Sequence, residues 1–235
     1  MAGIGFELRK MLRRDNLSGM LGAYAYAGII SSGPWVLSIV GILLIGVLSL
    51  PFVVPGSLVT QFQVSVTYLI AVSLILTGPM QLAFTRFTSD RLFEKRDGLV
   101  LSNYHAVALL VTALAGAIGI GCALFAFPEQ SVLYRLLMTA GFVVMSNIWI
   151  AVIFLTSMKQ YKAIVWTFLL GYTLTVVAAL VLRDFDLEGL LLGFVAGQMC
   201  LLTAMVVCRW CCSGCLISTS TSTAGGKCCC SAACS

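Results

Sequence analysis

The sequence predicts an all-α membrane protein, a polytopic helical bundle of about six transmembrane helices. Three observations predict it. Charged residues make up 10% of the 235 residues and hydrophobic residues 60%; the mean hydropathy is +1.03; and the apolar residues gather into six long stretches separated by short charged ones. A soluble domain carries about a quarter charged residues and covers itself with them. Here too few exist for that, whereas an apolar helix of about 20 residues crosses a hydrocarbon layer about 30 Å thick. The net charge of +5 lies in clusters between apolar stretches and not along one face, which speaks of topology and against nucleic acid as a partner.

Taken in order, residues 1–22 form a cytoplasmic amphipathic segment in which Phe6, Leu8, Met11, Leu12 and Leu17 alternate with Arg9, Lys10, Arg13 and Arg14. It is too charged for a cleavable signal, so retention is expected. The spans are placed at Ala23 to Leu50, Val59 to Thr85, Tyr104 to Phe127, Leu136 to Met158, Ala163 to Leu182 and Gly189 to Cys208, a bundle over residues 23–208 in contact with the lipid bilayer. Positive residues in short loops stay on the cytoplasmic side. Arg86, Arg91, Lys95, Arg96, Lys159, Lys162 and Arg209 fall on the side of the N-terminal cluster, while Arg135 and Arg183 fall on the other. Both termini are therefore predicted cytoplasmic, as an even span count requires.

Two spans contain proline. Ser31, Ser32, Gly33 and Pro34 sit near the middle of the first, and Gly78 and Pro79 in the cytoplasmic third of the second. Proline removes a backbone donor and crowds the preceding turn, so both spans are expected to kink or unwind locally, with Gly33, Pro34, Gly78 and Pro79 as hinge candidates. Small residues four apart mark expected packing seams: Gly189, Gly193 and Gly197 on the last span, Ala113, Ala117 and Gly121 on the third, and Ala23, Ala27 and Ser31 on the first.

The spans hold no Asp or Glu, so no carboxylate that could couple transport to protons is visible. The one histidine, His105, falls at the cytoplasmic end of the third span and reads as interfacial. No catalytic constellation, no metal site and no cofactor motif is found, and an enzyme is not expected. The polar groups within the spans are neutral: Thr67, Gln81 and Thr85, then Ser146, Asn147 and Trp149, then Tyr172 and Thr173, then Gln198. Amides, hydroxyls and aromatic faces suit a hydroxyl-rich cargo such as a polysaccharide, and serve equally as interhelical hydrogen bonds. Ser31, Ser32, Gln81, Thr85, Arg86, Asn147, Tyr172 and Gln198 are the cargo-path candidates. Residues 209–235 hold Cys211, Cys212, Cys215, Cys228, Cys229, Cys230 and Cys234 among Ser and Thr, without an apolar core. This tail is expected to be disordered, in keeping with a truncation or a change of reading frame.

The run Met-Ala-Gly-Ile-Gly-Phe-Glu-Leu-Arg-Lys over residues 1–10, with Ser31, Ser32, Gly33, Pro34 and Trp35, resembles the start of the PelG family. These are inner-membrane transporters of the Pel exopolysaccharide system of Gram-negative bacteria, similar to the polysaccharide flippases of the multidrug, oligosaccharidyl-lipid and polysaccharide exporter superfamily. The resemblance runs to about Val207. It implies a chain of about twice this length, built from two helical halves around a cavity, of which the present residues correspond to the first half. It implies polymer export across the inner membrane, and as partners a cytoplasmic glycosyltransferase with inner-membrane scaffold and cyclic-dinucleotide-binding subunits. The rival expectation is a scaffold subunit that anchors the glycosyltransferase without a path of its own.

Overall fold

A computed structural model describes residues 36–49, 56–94, 97–125, 129–157, 161–182 and 185–221. Six helices account for nearly all of them, and no strand occurs among the described residues. They are α1 (Val36–Ser49), α2 (Ser57–Phe93), α3 (Asp97–Phe125), α4 (Val132–Ser157), α5 (Tyr161–Val181) and α6 (Asp186–Thr221). α2 to α6 are each long and apolar enough to cross a membrane, and α1 is the described part of the first expected span. The chain is a multi-pass membrane protein. Helices are forced on it because hydrocarbon offers backbone groups no partner, so each amide must be paired within its own segment. The N-terminal segment and Ser31, Ser32, Gly33 and Pro34 lie outside the described residues.

α4 is the central helix and packs against α2, α3, α5 and α6. Its residues Met145, Ile148, Trp149, Ile150 and Ala151 are all buried. α3 is peripheral, with Val111 and Ala115 turned inward while Leu109, Ile120, Leu124 and Phe125 are exposed. α5 and α6 form an antiparallel hairpin whose corner is set at Asp186, which takes the left-handed conformation with φ 56°. Aspartate is among the few residues with a side chain that adopt this region readily. α1 rests on the bundle at two glycines. A Cβ at Gly41 would lie 2.7 Å from the Tyr172 ring of α5, and one at Gly46 would fall on the Gln63 amide of α2.

Small residues let helix backbones approach closely in a membrane, where apolar burial gives no preference for protein over lipid. The seam expected on the last span is present. Gly193 and Gly197 of α6 lie against Ala179 and Thr175 of α5, and Gly171 of α5 faces Leu201 of α6. The seam expected on the third span is corrected. Ala113 and Ala117 are exposed and a Cβ at Gly121 would meet nothing within 4 Å. It is Ala115, fully buried, and Gly119, pressed on Thr139 of α4, that face the neighbour. α3 offers small residues at 113, 115, 116, 117, 119 and 121, so several stripes of equal quality exist and the partner selects one.

Of the two outcomes expected at the proline of the second span, a kink or a local unwinding, the unwinding does not occur. α2 runs unbroken through Pro79. Proline needs only the loss of one amide, which otherwise would bond the carbonyl four residues back, and Ile75, whose carbonyl is released, is 76% exposed. Gly78 faces open space, so no close approach demands it. At the other end of the chain, α6 continues to Thr221, past residue 208 where the bundle was expected to end. Local i to i−4 bonds sustain a helix outside lipid as well as within it. Residues 222–235 lie outside the described residues.

Candidate functional site: polar groups within the bundle

α2 carries the longest polar run. Ser73, Thr77, Gln81, Thr85 and Ser89 follow one another at four-residue spacing, which places them on one slowly winding face. Ser73 is fully buried; its Oγ donates to the Ile70 carbonyl at 2.8 Å and accepts Trp149 Nε1 of α4 at 3.0 Å. Thr77 Oγ1 donates to the Ser73 carbonyl at 2.8 Å and accepts Gln81 Nε2 at 2.8 Å. Thr85 Oγ1 donates to the Gln81 carbonyl at 2.7 Å, and Ser89 Oγ to the Thr85 carbonyl at 2.9 Å. Burial fades along this run: Ser73 and Thr77 are buried, Gln81 and Thr85 half-buried, Arg86 and Ser89 exposed.

Depth follows from helix length. At 1.5 Å per residue Arg86 lies about 44 Å along α2 from Ser57, which is roughly the full bilayer thickness with headgroups. The end of α2 therefore reaches beyond the hydrocarbon. There Arg91 pairs with Glu94 at 2.7 Å and stands over the Phe87 ring at 5.2 Å. Beside Gln81 and Thr85 on the same helix end, Phe84 meets Tyr104 of α3 at 6.4 Å between ring centres. Tyr104 in turn packs on Phe154 of α4 at 4.9 Å and edge-on against His105 at 5.8 Å. His105 itself is exposed.

The remaining candidates do not join this face. Asn147 of α4 donates through Nδ2 to Thr112 Oγ1 of α3 at 2.9 Å and to its own Val143 carbonyl at 2.9 Å, so its amide ties two helices. Tyr172 and Gln198 are brought together elsewhere, at a junction of α1, α5 and α6. The Tyr172 hydroxyl is within hydrogen-bonding reach of Ser38 and Gln198, and Gln198 Nε2 donates to Thr175 Oγ1 at 3.5 Å. Ser38, Tyr172, Thr175 and Gln198 are all buried. The eight candidates thus divide into the α2 face, an α3–α4 tie and a three-helix junction, with Ser31 and Ser32 outside the described residues.

Sequence reading missed Ser73, Thr77, Ser38 and Thr175. The first two had a signal, since they extend the Gln81 and Thr85 spacing by two more turns. Ser38 and Thr175 had none, because only folding brings α1 and α5 together. It also missed a fastening on the opposite side. Ser131 caps α4 by accepting the Tyr134 amide at 3.1 Å, and it hydrogen-bonds Glu188 of α6. Tyr134 then reaches Ser65 of α2 at 2.7 Å; because Ser65 gives its own proton to the Gln61 carbonyl, Tyr134 is the donor.

The arrangement offers neutral donors and acceptors over a partly open helix face that ends at the exposed Arg86. The PelG family profile, described as an exopolysaccharide exporter (EPS-E), matches residues 1–209. The chain belongs to the PelG family. No curated protein and no solved structure matches it. The PelG match covers α1 to α5 and α6 as far as residue 209, which includes the stretch of α6 apolar enough to span, Asp186–Val207. It joins the chain to exopolysaccharide export, an exporter family and not a family of enzymes.

Proposed function

We propose that the chain translocates an exopolysaccharide across the bacterial inner membrane, as a component of a Pel-type export system with both termini in the cytoplasm. The observation that carries this reading is the polar face of α2, which passes from buried Ser73 and Thr77 to half-open Gln81 and Thr85 and to exposed Arg86. Hydroxyl and amide groups in lipid are tolerated only when paired, or when they border a wet path. Gln81 binds Thr77 through its side-chain nitrogen Nε2, and its side-chain oxygen Oε1 is the acceptor that the amide has left to offer. That oxygen and the half-open Thr85 are suited to sugar hydroxyls arriving from the cytoplasmic side. Asn147, Tyr172 and Gln198 stand behind this face as bundle fastenings. A cytoplasmic glycosyltransferase, and the scaffold and cyclic-dinucleotide-binding subunits of the same system, are the proposed partners, facing Arg86, Asp90 and Arg91.

A scaffold reading draws support from the interhelical use of Asn147 with Thr112. One experiment separates the two. In cells carrying the complete export system, Gln81→Leu with Thr85→Leu should cut polymer export several-fold while membrane insertion and glycosyltransferase recruitment stay normal, since lipid accepts leucine readily. Unchanged export with both leucines in place overturns the translocation path. Loss of recruitment together with export would favour the scaffold.

A further inference from the structure

Arg135 is a charge without a counter-charge among the described residues. It is half-buried near the start of α4, its Nε is shielded from solvent, and that nitrogen has no hydrogen-bond partner. Its guanidinium forms no salt bridge. Carboxylates stand at the same end of the bundle, where α4 and α6 begin: Glu129 and Asp186 are exposed, and Glu188 is hydrogen-bonded to Ser131. Arg135 pairs with none of them.

Helix geometry sets where this side chain lies. Tyr134, Gly141 and Trp149 of α4 meet α2, while Thr139 and Asn147 meet α3. At about 100° per residue, Arg135 takes the bearing between those two sets. Phe142 and Ser146 share that bearing deeper in the membrane, to within about 20°, and both are buried, because α2 and α3 close over α4 there. Nearer the helix start Arg135, Met138 and Thr139 are only half-buried. α2 and α3 touch each other through Phe84 and Tyr104 at the opposite end. The cover over α4 therefore thins toward its start, and Arg135 stands on the strip of α4 left between α2 and α3.

The spanning stretch of α4 has 25 residues and is about 37 Å long at 1.5 Å per residue, against about 30 Å of hydrocarbon. Arg135 is about 4–5 Å from Val132 along the axis, about where hydrocarbon meets headgroups. The antiparallel contact of Gly119 with Thr139 brings the end of α3 to the same level, and there Leu124 and Phe125 of α3 and Val132 and Leu136 of α4 are exposed. A guanidinium left unpaired at this depth is costly, and its planar fork suits two oxygens of one phosphate. A soluble anion would answer the charge alone. A phospholipid answers the charge and covers the apolar side chains around it.

We propose that Arg135 binds the phosphate of a phospholipid whose acyl chains lie along the exposed side chains of α3 and α4. The lipid belongs to the leaflet at the start of α4, which is the periplasmic one in the orientation proposed above. It supplies the counter-charge that the fold lacks and completes the seam between α2 and α3 at that end.

Photo-cross-linking of the full chain in nanodiscs of a neutral galactolipid tests this, with a phosphatidylglycerol that carries a diazirine close to the glycerol. Mass spectrometry of the digested chain should find label on residues 119–139 several-fold above that from a diacylglycerol with the same diazirine chains and no phosphate. Arg135→Gln should bring the phospholipid label there down to the diacylglycerol level, while label on residues 86–94, at the other end of the bundle, stays as in wild type and reports an intact fold. Arg135→Lys keeps the charge but not the fork and should retain part of the label. Equal labelling of wild type by the two lipids overturns the proposal whether or not the glutamine variant folds, as does labelling indifferent to Arg135→Gln. Loss of label in inorganic phosphate, but not in chloride of equal ionic strength, would also overturn it, in favour of a soluble anion.

Discussion

Substitution of Gly193 by alanine should weaken the α5–α6 hairpin, and the structure sets the size of the effect. A Cβ at Gly193 would stand 2.8 Å from the Ala178 carbonyl carbon and nearer still to the Ala179 backbone. Backbone cannot swing aside as a flexible side chain does, so the helices must separate or slide, and overpacking of this kind costs about 1–3 kcal/mol. Alanine also relieves the entropic cost of a mid-helix glycine, which returns about 0.5–1 kcal/mol. The net loss should be at most about 2.5 kcal/mol, the largest difference of those two terms. Gly116→Ala is the control, because a Cβ there meets nothing within 4 Å and only the helix-propensity gain remains. The stability gap between the two variants should then equal the overpacking itself, about 1–3 kcal/mol, or roughly 5- to 150-fold in the unfolding constant. Reversible unfolding of the purified chain in mixed micelles of rising dodecyl sulfate fraction, followed by helical circular dichroism, measures it. Equal stability of Gly193→Ala and Gly116→Ala would refute the close-packed seam.

Trp149→Phe removes the indole donor to Ser73 but leaves Ser73 its own bond to Ile70; the same unfolding assay should show a loss of about 0.6–1.7 kcal/mol, the range of interhelical hydrogen bonds in membranes. Ser131→Ala deprives α4 of its cap and Glu188 of its partner, and should cost about 0.5–2 kcal/mol, with faster amide hydrogen exchange at Tyr134 as its local signature. For topology, single cysteines replacing exposed Asp90 and exposed Glu129 should be labelled by an impermeant thiol reagent from the cytoplasmic and the periplasmic side respectively. Labelling of both from one side would overturn the assigned orientation.

The polar groups show how far pattern alone carries. Gln81 and Thr85 were legible as one face because the spacing of four residues is a property of a single helix, and the face extends, as found, to Ser73 and Thr77. The partners of Asn147, Tyr172 and Gln198 were not legible. Each sits across a helix boundary from residues 35, 134 and 23 positions away respectively, counted from Thr112 to Asn147, Ser38 to Tyr172 and Thr175 to Gln198. Nothing in local sequence joins such positions. The small residues of α3 failed for a related reason, since alanine and glycine occur around the whole helix and offer more seams than there are neighbours.

Sequence by itself determined the class, the helices α2 to α6 as spans, and the neutral character of the interior. Transfer into lipid is a sum over about 20 consecutive residues, so each span declares itself without reference to the others. Tertiary structure alone decided which side of each helix is inward, that α4 rather than any other helix is central, and that Ser38, Tyr172, Thr175 and Gln198 share one junction. Lipid is as apolar as a protein interior, so a transmembrane helix carries little contrast between its buried and exposed faces. The choice falls to close fit and hydrogen bonding between helices, which exist only once the helices meet.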